Sequence, residues 1–313
     1  MAISDWLLAI SYWPTAKSQR PTANSQQHFV DRKTGMNLTT KIGIGTVQFG
    51  TDYGISNEQG ITKPEEVKAI INYAREAGID TIDTASAYGN AEEVLGQNDL
   101  RSFSIVSKFM PSENGHVAEQ LNFTLRSLQI EQLHGYLAHR PQAIIENPDE
   151  WKRLNNLKDQ GLIRKIGFSL NHPEELKNLL DKKLHPDLIQ VPYNYFDRRF
   201  EDFIQKFHSK GCEVHTRSTF LQGLFFVHPK KLGQHFNEIK PSLKRLQDST
   251  KNLSGFLLKF VLNQPYIDKV IVGVENLSQL KSNLKDINES YEYPPFNTSI
   301  SENILNPSRW PGN

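Results

Sequence analysis

From Lys41 onward, short apolar and β-branched runs alternate with longer segments whose apolar residues recur at helical spacing. The short runs are KIGIGTV (Lys41–Val47), IDTID (Ile79–Asp83), FSIVSK (Phe103–Lys108), LHGYLAH (Leu133–His139), IRKIGFS (Ile163–Ser169), DLIQV (Asp187–Val191), CEVHT (Cys212–Thr216) and VIVGV (Val270–Val274). Between them the spacing predicts helices over Lys63–Gly78, from Glu92, over Val117–Leu128 and Pro148–Lys158, from Pro173, from Arg199, and over Leu253–Leu262 and Ser278–Ile287. In the first of these, Val67, Ile70, Ile71 and Ala74 fall on one stripe, and Gly78 stands where a C-cap belongs. Only Gly223–Lys251 breaks the rhythm, as a longer excursion. Strand–helix alternation predicts a parallel sheet with right-handed crossovers. Eight such units in about 250 residues fit a single-domain α/β fold, the closed (β/α)8 TIM barrel. An open doubly wound sheet wants a glycine-rich turn leading straight into a helix, whereas GTVQFG (Gly45–Gly50) leads into a loop.

The chain ends stand apart from this rhythm. Residues 1–35 contain a polar unit that occurs twice, PTAKSQ and PTANSQ, with little to bury. They are expected to be a disordered extension, or an over-long start ahead of Met36. The apolar stretch Trp6–Trp13 lacks a basic flank and follows Asp5, unlike a secretion signal. The barrel is expected over residues 36–290 and a tail over 291–313.

Composition narrows the function. With 36 Lys+Arg against 35 Asp+Glu, the chain lacks the basic surplus of a nucleic-acid protein. Its one cysteine, Cys212, excludes a disulfide framework and a multi-cysteine metal site. No apolar run approaches the ~20 residues that span a bilayer. The expectation is a cytoplasmic protein acting on a small molecule, without nucleic-acid or membrane partners; oligomeric state is not readable.

Barrel chemistry sits at the carboxyl ends of the strands. Those ends carry Asp83, Lys108, His139, Ser169, Gln190 and Arg217, with Tyr88 shortly after Asp83. Each has an ordinary reading: an aspartate capping a helix, a lysine reaching solvent, a satisfied histidine, a packed tyrosine. Four of them on one rim make chemical sense together. A lysine ammonium beside a tyrosine hydroxyl makes the phenol a better proton donor, an aspartate holds the lysine charged, and a histidine orients a carbonyl oxygen. That is what carbonyl reduction requires, with hydride supplied by a cofactor.

IDTASAYG (Ile82–Gly89), VSK (Val106–Lys108) and LAHRP (Leu137–Pro141) resemble the Asp, Tyr, Lys and His tetrad of the aldo/keto reductases, a likeness running from about Thr40 to Ile287. The resemblance implies a barrel that binds extended NADPH or NADH. It implies Tyr88 as general acid, Lys108 tuning it, Asp83 pairing with the lysine and His139 orienting the carbonyl. It further implies cofactor contacts from Thr46, Asp83, Ser169, Gln190, Arg217, Ser218, Leu221, Gly223, Gly273, Gln279 and Asn283. GTVQFGTDYGI (Gly45–Ile55), QVPYNYFDRR (Gln190–Arg199) and RSTFLQGLFF (Arg217–Phe226) resemble a branch associated with sugars and surface polysaccharides.

Departures from the family pattern concern the cofactor. Ser169–Leu170 stands where Ser-Asn is common, and Arg217 where a tyrosine often stacks on nicotinamide. Arg217 suits an anionic or polyhydroxylated substrate, or else pairs with a rim carboxylate. Gly273, Glu275 and Gln279 occupy places where the family often has basic residues for the 2′-phosphate of NADPH. A carboxylate there repels phosphate, so NADH is expected to be accepted, unless Lys281 and Lys285 compensate.

Substrate contacts are expected from Tyr53, Tyr195, Phe196, the Gly223–Lys251 excursion and the tail. Tyr293, Pro294, Pro295, Phe296 and Trp310 of that tail either close over the mouth or pack along the wall. Two rivals to a reductase stand beside it: a non-catalytic subunit that senses the cofactor, and a lyase forming a Schiff base on Lys108. Metal hydrolysis wants clustered ligands, and His139 is the one histidine at a strand tip.

Overall fold

The computed structural model of the chain describes residues 37–110, 116–294, 296 and 299–311. The expected N-terminal extension and Met36 lie outside these residues, as does Pro295. Eight parallel strands close a barrel in sequence order. They are β1 (Ile42–Gly45), β2 (Thr81–Asp83), β3 (Ser104–Phe109), β4 (Leu133–Ala138), β5 (Ile163–Ser169), β6 (Leu188–Pro192), β7 (Glu213–Arg217) and β8 (Lys269–Gly273). Closure comes from β1 against β8, with Ile42 opposite Val270 and Gly45 opposite Gly273.

The helices alternate with the strands as α1 (Pro64–Glu76), α2 (Ala91–Gly96), α3 (Val117–Leu128), α4 (Gln142–Glu146), α5 (Asp149–Asp159), α6 (Pro173–Asp181), α7 (Glu201–Ser209), α8 (Lys240–Ser249), α9 (Leu253–Leu262), α10 (Leu277–Leu284) and α11 (Glu302–Leu305). Helix α1 shows how sequence sets these elements. Pro64 opens it, Glu65 and Glu66 face the positive end of its dipole, and Val67, Ile70, Ile71 and Ala74 are fully buried on the barrel. Burying each of its larger apolar side chains stabilises the wall by roughly 1.5–3 kcal/mol. Gly78, at φ +81°, turns the chain into β2.

Element ends differ from the sequence reading by a few residues at several places, and three differences bear on the site. Strand β1 stops at Gly45, because Thr46 turns to give both its N–H (3.1 Å) and its hydroxyl (3.0 Å) to the Asp83 carbonyl. Strand β7 extends to Arg217, which therefore sits on the ladder opposite Pro192. The excursion after β7 is ordered by three 3-10 turns and by α8, whose Leu243 and Leu246 are buried.

The described tail packs on the barrel through aromatic contacts. Tyr293 lies against Phe256 and Phe260 of α9, Phe296 against Tyr195 and Phe196, and Trp310 against Phe236. Among the described residues, no helix is long and apolar enough to cross a membrane.

Candidate active site

Asp83 ends β2 and Lys108 lies near the end of β3, on adjacent strands whose register sets Asp83 opposite Val106. The register brings their side chains together inside the barrel. Lys108 Nζ donates to Asp83 Oδ1 at 2.6 Å and to the Thr84 carbonyl at 2.8 Å. Gln190, from β6, donates its amide to Asp83 Oδ2 at 2.7 Å. Both carboxylate oxygens are thus engaged, and Lys108 is fully buried. Burial works against the ammonium, but the Asp83 carboxylate and the neighbouring Tyr88 oxygen outweigh it, so the Lys108 pKa is raised.

Tyr88 comes from the loop between β2 and α2. Its ring centroid stands 5.2 Å from Lys108 Nζ. Two glycines set its place. A Cβ at Gly50 would run into the Tyr88 carbonyl oxygen, and one at Gly89 (φ +56°) would run into the Gly50 carbonyl oxygen. The loops after β1 and β2 therefore touch backbone to backbone.

His139 follows β4, anchored by its N–H to the Phe109 carbonyl at 2.9 Å. Its ring meets Tyr88 edge-on, centroids 5.8 Å apart at 87°. Burial, with Lys108, Arg217 and Arg140 adding repulsion, lowers its pKa to about 3. His139 is therefore neutral at ordinary pH, and its buried Nδ1 has no hydrogen-bond partner among the described residues.

A cavity of about 570 Å³ opens from this cluster. Tyr88, Asp83, Arg217, Tyr53 and Phe220 line it, and it extends past Gly273 to Gln279 and Asn283. Of the residues expected from sequence, Thr46, Ser218 and Gly223 also face it. The loops after β1 and β7 are tied together at its wall. Gln222 donates to the Tyr53 hydroxyl at 2.6 Å, and the Ile55 N–H donates to the Gln222 carbonyl at 3.1 Å. The loop after β7 is strained, with Ser218, Leu221 and Gln222 all at positive φ.

Other expected residues lie elsewhere. Ser169 and Gln190 do not line the cavity, because the Gln190 amide is turned to Asp83 and its Oε1 faces the Ser169 hydroxyl at 3.5 Å. Leu221 is fully buried in the core. Tyr195 and Phe196, expected at the substrate, belong to an aromatic wall with Phe256, Phe260 and Phe296. The Tyr195 hydroxyl donates to the Pro294 carbonyl at 2.7 Å, which directs it to the tail.

Arg217 pairs with no rim carboxylate among the described residues. Its guanidinium donates to the Leu170 carbonyl (3.0 Å), Asn171 Oδ1 (2.6 Å) and the Ser218 hydroxyl (3.2 Å). Toward the far end, Lys281 Nζ sits over the Tyr73 ring at 5.2 Å, and neither Lys281 nor Lys285 lines the cavity. Lys251 and Glu275 do. Burial and the nearby Glu58 carboxylate raise the Glu275 pKa, against a hydrogen bond from Gln279.

Gln48 and Thr219 line the cavity and were not singled out from sequence. Gln48 Oε1 and Thr219 Oγ1 are buried there without hydrogen-bond partners among the described residues. Gln48 was legible only as the polar residue in GTVQFG, and Thr219 as one hydroxyl in a loop rich in them. Gly273 leaves the space beside Gln48, since a Cβ there would come within 2.9 Å of Gln48 Oε1. Unpaired polar atoms along an elongated cavity fit a ligand with hydrogen-bonding groups along its length, as a nicotinamide dinucleotide has.

The sequence profile described as the Aldo/keto reductase family matches residues 41–293. A Bacillus subtilis (strain 168) protein described as uncharacterized oxidoreductase YqkF is 24% identical over 280 residues, covering 80% of this chain and 87% of that one. Methylglyoxal reductase DkgA of Salmonella typhimurium is 35% identical over 127 residues, covering 38% of this chain and 45% of that one. Among solved structures, the holo form of aldo-keto reductase AKR11C1 from Bacillus halodurans aligns with a TM-score of 0.63 at 21% identity, covering 85% of this chain and 90% of that chain. At that identity the likeness is one of fold.

Proposed function

The chain belongs to the aldo/keto reductase family, and from that premise we propose that it reduces an aldehyde or ketone to an alcohol with NADH or NADPH, the proton coming from Tyr88. The observation that carries this reading is the buried Lys108–Asp83 pair set against the Tyr88 ring. Bound in the cavity, a nicotinamide supplies the hydride that no side chain can supply. Thr46, Gln48, Ser218, Thr219, Gly273 and Asn283, which line the cavity, would hold such a cofactor.

The protein's own part is proton chemistry. As negative charge develops on the carbonyl oxygen, the Tyr88 hydroxyl gives it a proton, and the buried Lys108 ammonium stabilises the phenolate left behind. Asp83 and Gln190 keep the ammonium charged and in place. His139, being neutral, orients the carbonyl with one ring N–H and adds no second positive charge. A Schiff base on Lys108 fits less well, because Asp83 holds its nitrogen protonated and Thr84 engages it. Methylglyoxal, named for the partial relative DkgA, is a reasonable first substrate. The test is a screen of carbonyl compounds followed by cofactor absorbance, with Tyr88→Phe as control. The variant is expected to lose about 100- to 10,000-fold in kcat; full activity would remove Tyr88 as proton donor. Cofactor binding without turnover of any carbonyl would favour the sensor instead.

Selectivity for the 2′-phosphate is proposed to be weak. Glu275, with Glu58 nearby, puts negative charge at the far end of the cavity, and Lys251 is the cation there to offset it. Dissociation constants for NADPH and NADH, measured side by side, check this. A preference for NADPH above about 100-fold, or ~2.7 kcal/mol, would overturn it.

A further inference from the structure

We propose that Ser86 and Glu92 are positioning residues for the proton donor: they tie the loop that carries Tyr88 to Lys108 and Ser107 of β3, and so fix the phenol against the lysine. The proposal rests on the carbonyl-reduction reading and deepens it by naming what sets the donor's place.

The barrel alone does not set that place. Asp83 and Lys108 stand on adjacent strands whose register holds them, but Tyr88 lies beyond the end of β2, in a loop. Its hydroxyl serves the reaction only while the loop keeps it near the ammonium. Misplacing a reacting group by about 1 Å can cost about 100-fold in rate.

Before the phenol, the loop is held at the rim. The ladder between β2 and β3 outlasts β2: the Thr84 N–H donates to the Val106 carbonyl at 2.8 Å and the Ser86 N–H to the Lys108 carbonyl at 3.1 Å. Ser86 adds its hydroxyl to the same carbonyl at 3.0 Å. Two donors on one acceptor thus bind the chain, just ahead of the phenol, to the lysine's own peptide. Lys108 answers from its side, with Nζ on the Thr84 carbonyl at 2.8 Å.

After the phenol, the hold is on the other face of β3. Successive side chains on a strand point to opposite faces, so Lys108 enters the barrel and Ser107 turns out to the helices. Glu92, on α2, accepts from the Ser107 hydroxyl at 2.6 Å and from the Thr124 hydroxyl of α3 at 3.1 Å. All three residues are buried. A buried carboxylate ordinarily faces a cation, as Asp83 does, whereas both oxygens of Glu92 are taken by hydroxyls. Burial raises its pKa, against those two bonds and the charge of Lys108. What the carboxylate adds in return is a fixed distance between α2 and β3. Gly96 secures the far end of α2, since a Cβ there would run into the Ser127 carbonyl oxygen of α3. Neither Ser86 nor Glu92 lines the cavity, so each acts through Tyr88 rather than on a ligand.

Four variants of the full chain test this, with methylglyoxal and D-glyceraldehyde as substrates and each variant held below its own unfolding temperature. The readouts are kcat, the NADH dissociation constant and the solvent deuterium isotope effect on kcat. Ser86→Ala, which keeps the N–H bond, is expected to lower kcat about 10-fold, the loss of one hydrogen bond. Glu92→Ala is expected to lower it about 100-fold. The isotope effect should rise in both, because proton transfer becomes the slow step, while NADH binding stays as in the native protein. Ser86→Thr and Glu92→Gln keep groups able to bond the same partners, since a hydroxyl both donates and accepts, and should retain most of the native rate. Alanine variants that unfold more easily yet keep kcat overturn the proposal, leaving the ties structural only. So does a loss of kcat shared by the conservative variants, or one matched by weaker NADH binding with the isotope effect unchanged. Should Glu92→Ala not fold, Ser86→Ala, at a half-buried position, decides. Native protein that binds NADH and turns over no carbonyl compound fails the carbonyl-reduction reading itself, and this proposal with it.

Discussion

The two ends of the barrel satisfy their polar groups in different ways. At the amino ends of the strands, charges are saturated by the protein itself. Glu213 is bonded by His134, Lys165 and His215, and Lys269 by Asp80 at 2.5 Å and the Thr40 carbonyl at 2.6 Å. Asp187 takes Lys158 and the Ile166 N–H, and Asp268 takes the Val214 N–H. At the carboxyl ends, Asp83 and Lys108 are equally well paired, but around them, among the described residues, stand Gln48 Oε1, Thr219 Oγ1 and His139 Nδ1 without hydrogen-bond partners, and Arg217 without a counter-ion. One end is closed chemistry and the other is open to a visitor. A buried unpaired polar atom costs ~1–3 kcal/mol, so several at one mouth mark where stability has been given up for binding. The division is not complete: His215 Nδ1, beside Gln190 across the β6–β7 ladder, and the Tyr136 hydroxyl, Thr84 Oγ1, Arg198 Nε and Asn288 Oδ1 are also unpartnered among the described residues and do not line the cavity.

The largest expected effect comes from cutting the open end. Lys108→Met should lower kcat by about 1,000-fold, within the range that proton-transfer catalysis supplies. It should also destabilise the fold by ~3–5 kcal/mol in urea unfolding, because Asp83 is left buried without its cation. A variant that loses rate yet unfolds like the native protein would separate the two roles of the pair.

Cutting the closed end should do the reverse. Glu213→Gln is expected to cost ~3 kcal/mol of stability while the folded protein keeps its turnover within about threefold. Burial pushes the Glu213 pKa up, but hydrogen bonds from His134 and His215 outweigh it, so the net shift is downward. Its contribution to stability is then present above the unfolded carboxylate value of ~4.3 and lost as acid protonates the folded form. Activity falling in step with stability would show that the two ends are not independent.

The smallest effect is in pH. With its pKa lowered to about 3, His139 binds fewer protons folded than unfolded. It therefore subtracts stability as pH falls from ~6.5 toward 3 and contributes nothing above that window. The rate profile should accordingly show no limb with a midpoint near pH 6.5. Such a limb, abolished in His139→Asn, would mean that the histidine titrates in the working range and that the two ends differ less than their geometry indicates.

Period and punctuation made the barrel legible, because each strand–helix unit writes its own alternation, as α1 does with its four buried positions and terminal glycine. Asp83, Lys108 and His139 were legible for the same reason, since strand ends in a barrel converge whatever the loops do, whereas Tyr88 reaches them from the loop after β2, held there by the Gly50–Gly89 contact. What the loops do was not written at that level. Tyr195 and Phe196 look like mouth residues in sequence, but Phe256 and Phe260 of α9 offered them an apolar wall. Lys281 looked free to meet a phosphate until the fold set Tyr73 of α1 beneath it. Helix α8 was hidden because its two buried leucines sit among lysines and polar residues with too short a periodic run. Asn171 carried no signal until Arg217 was seen to reach it.

The contact between Gly50 and the Tyr88 loop has one more consequence. The segment that begins at Thr46 and carries Gln48 and Tyr53 borders the cavity, and midway along it Gly50 presses on the backbone that bears the phenol. Anything that wedges this segment outward moves the phenol with it, with no side chain in between to absorb the motion. Two residues without side chains thus couple the wall of the cavity to the place of the hydroxyl.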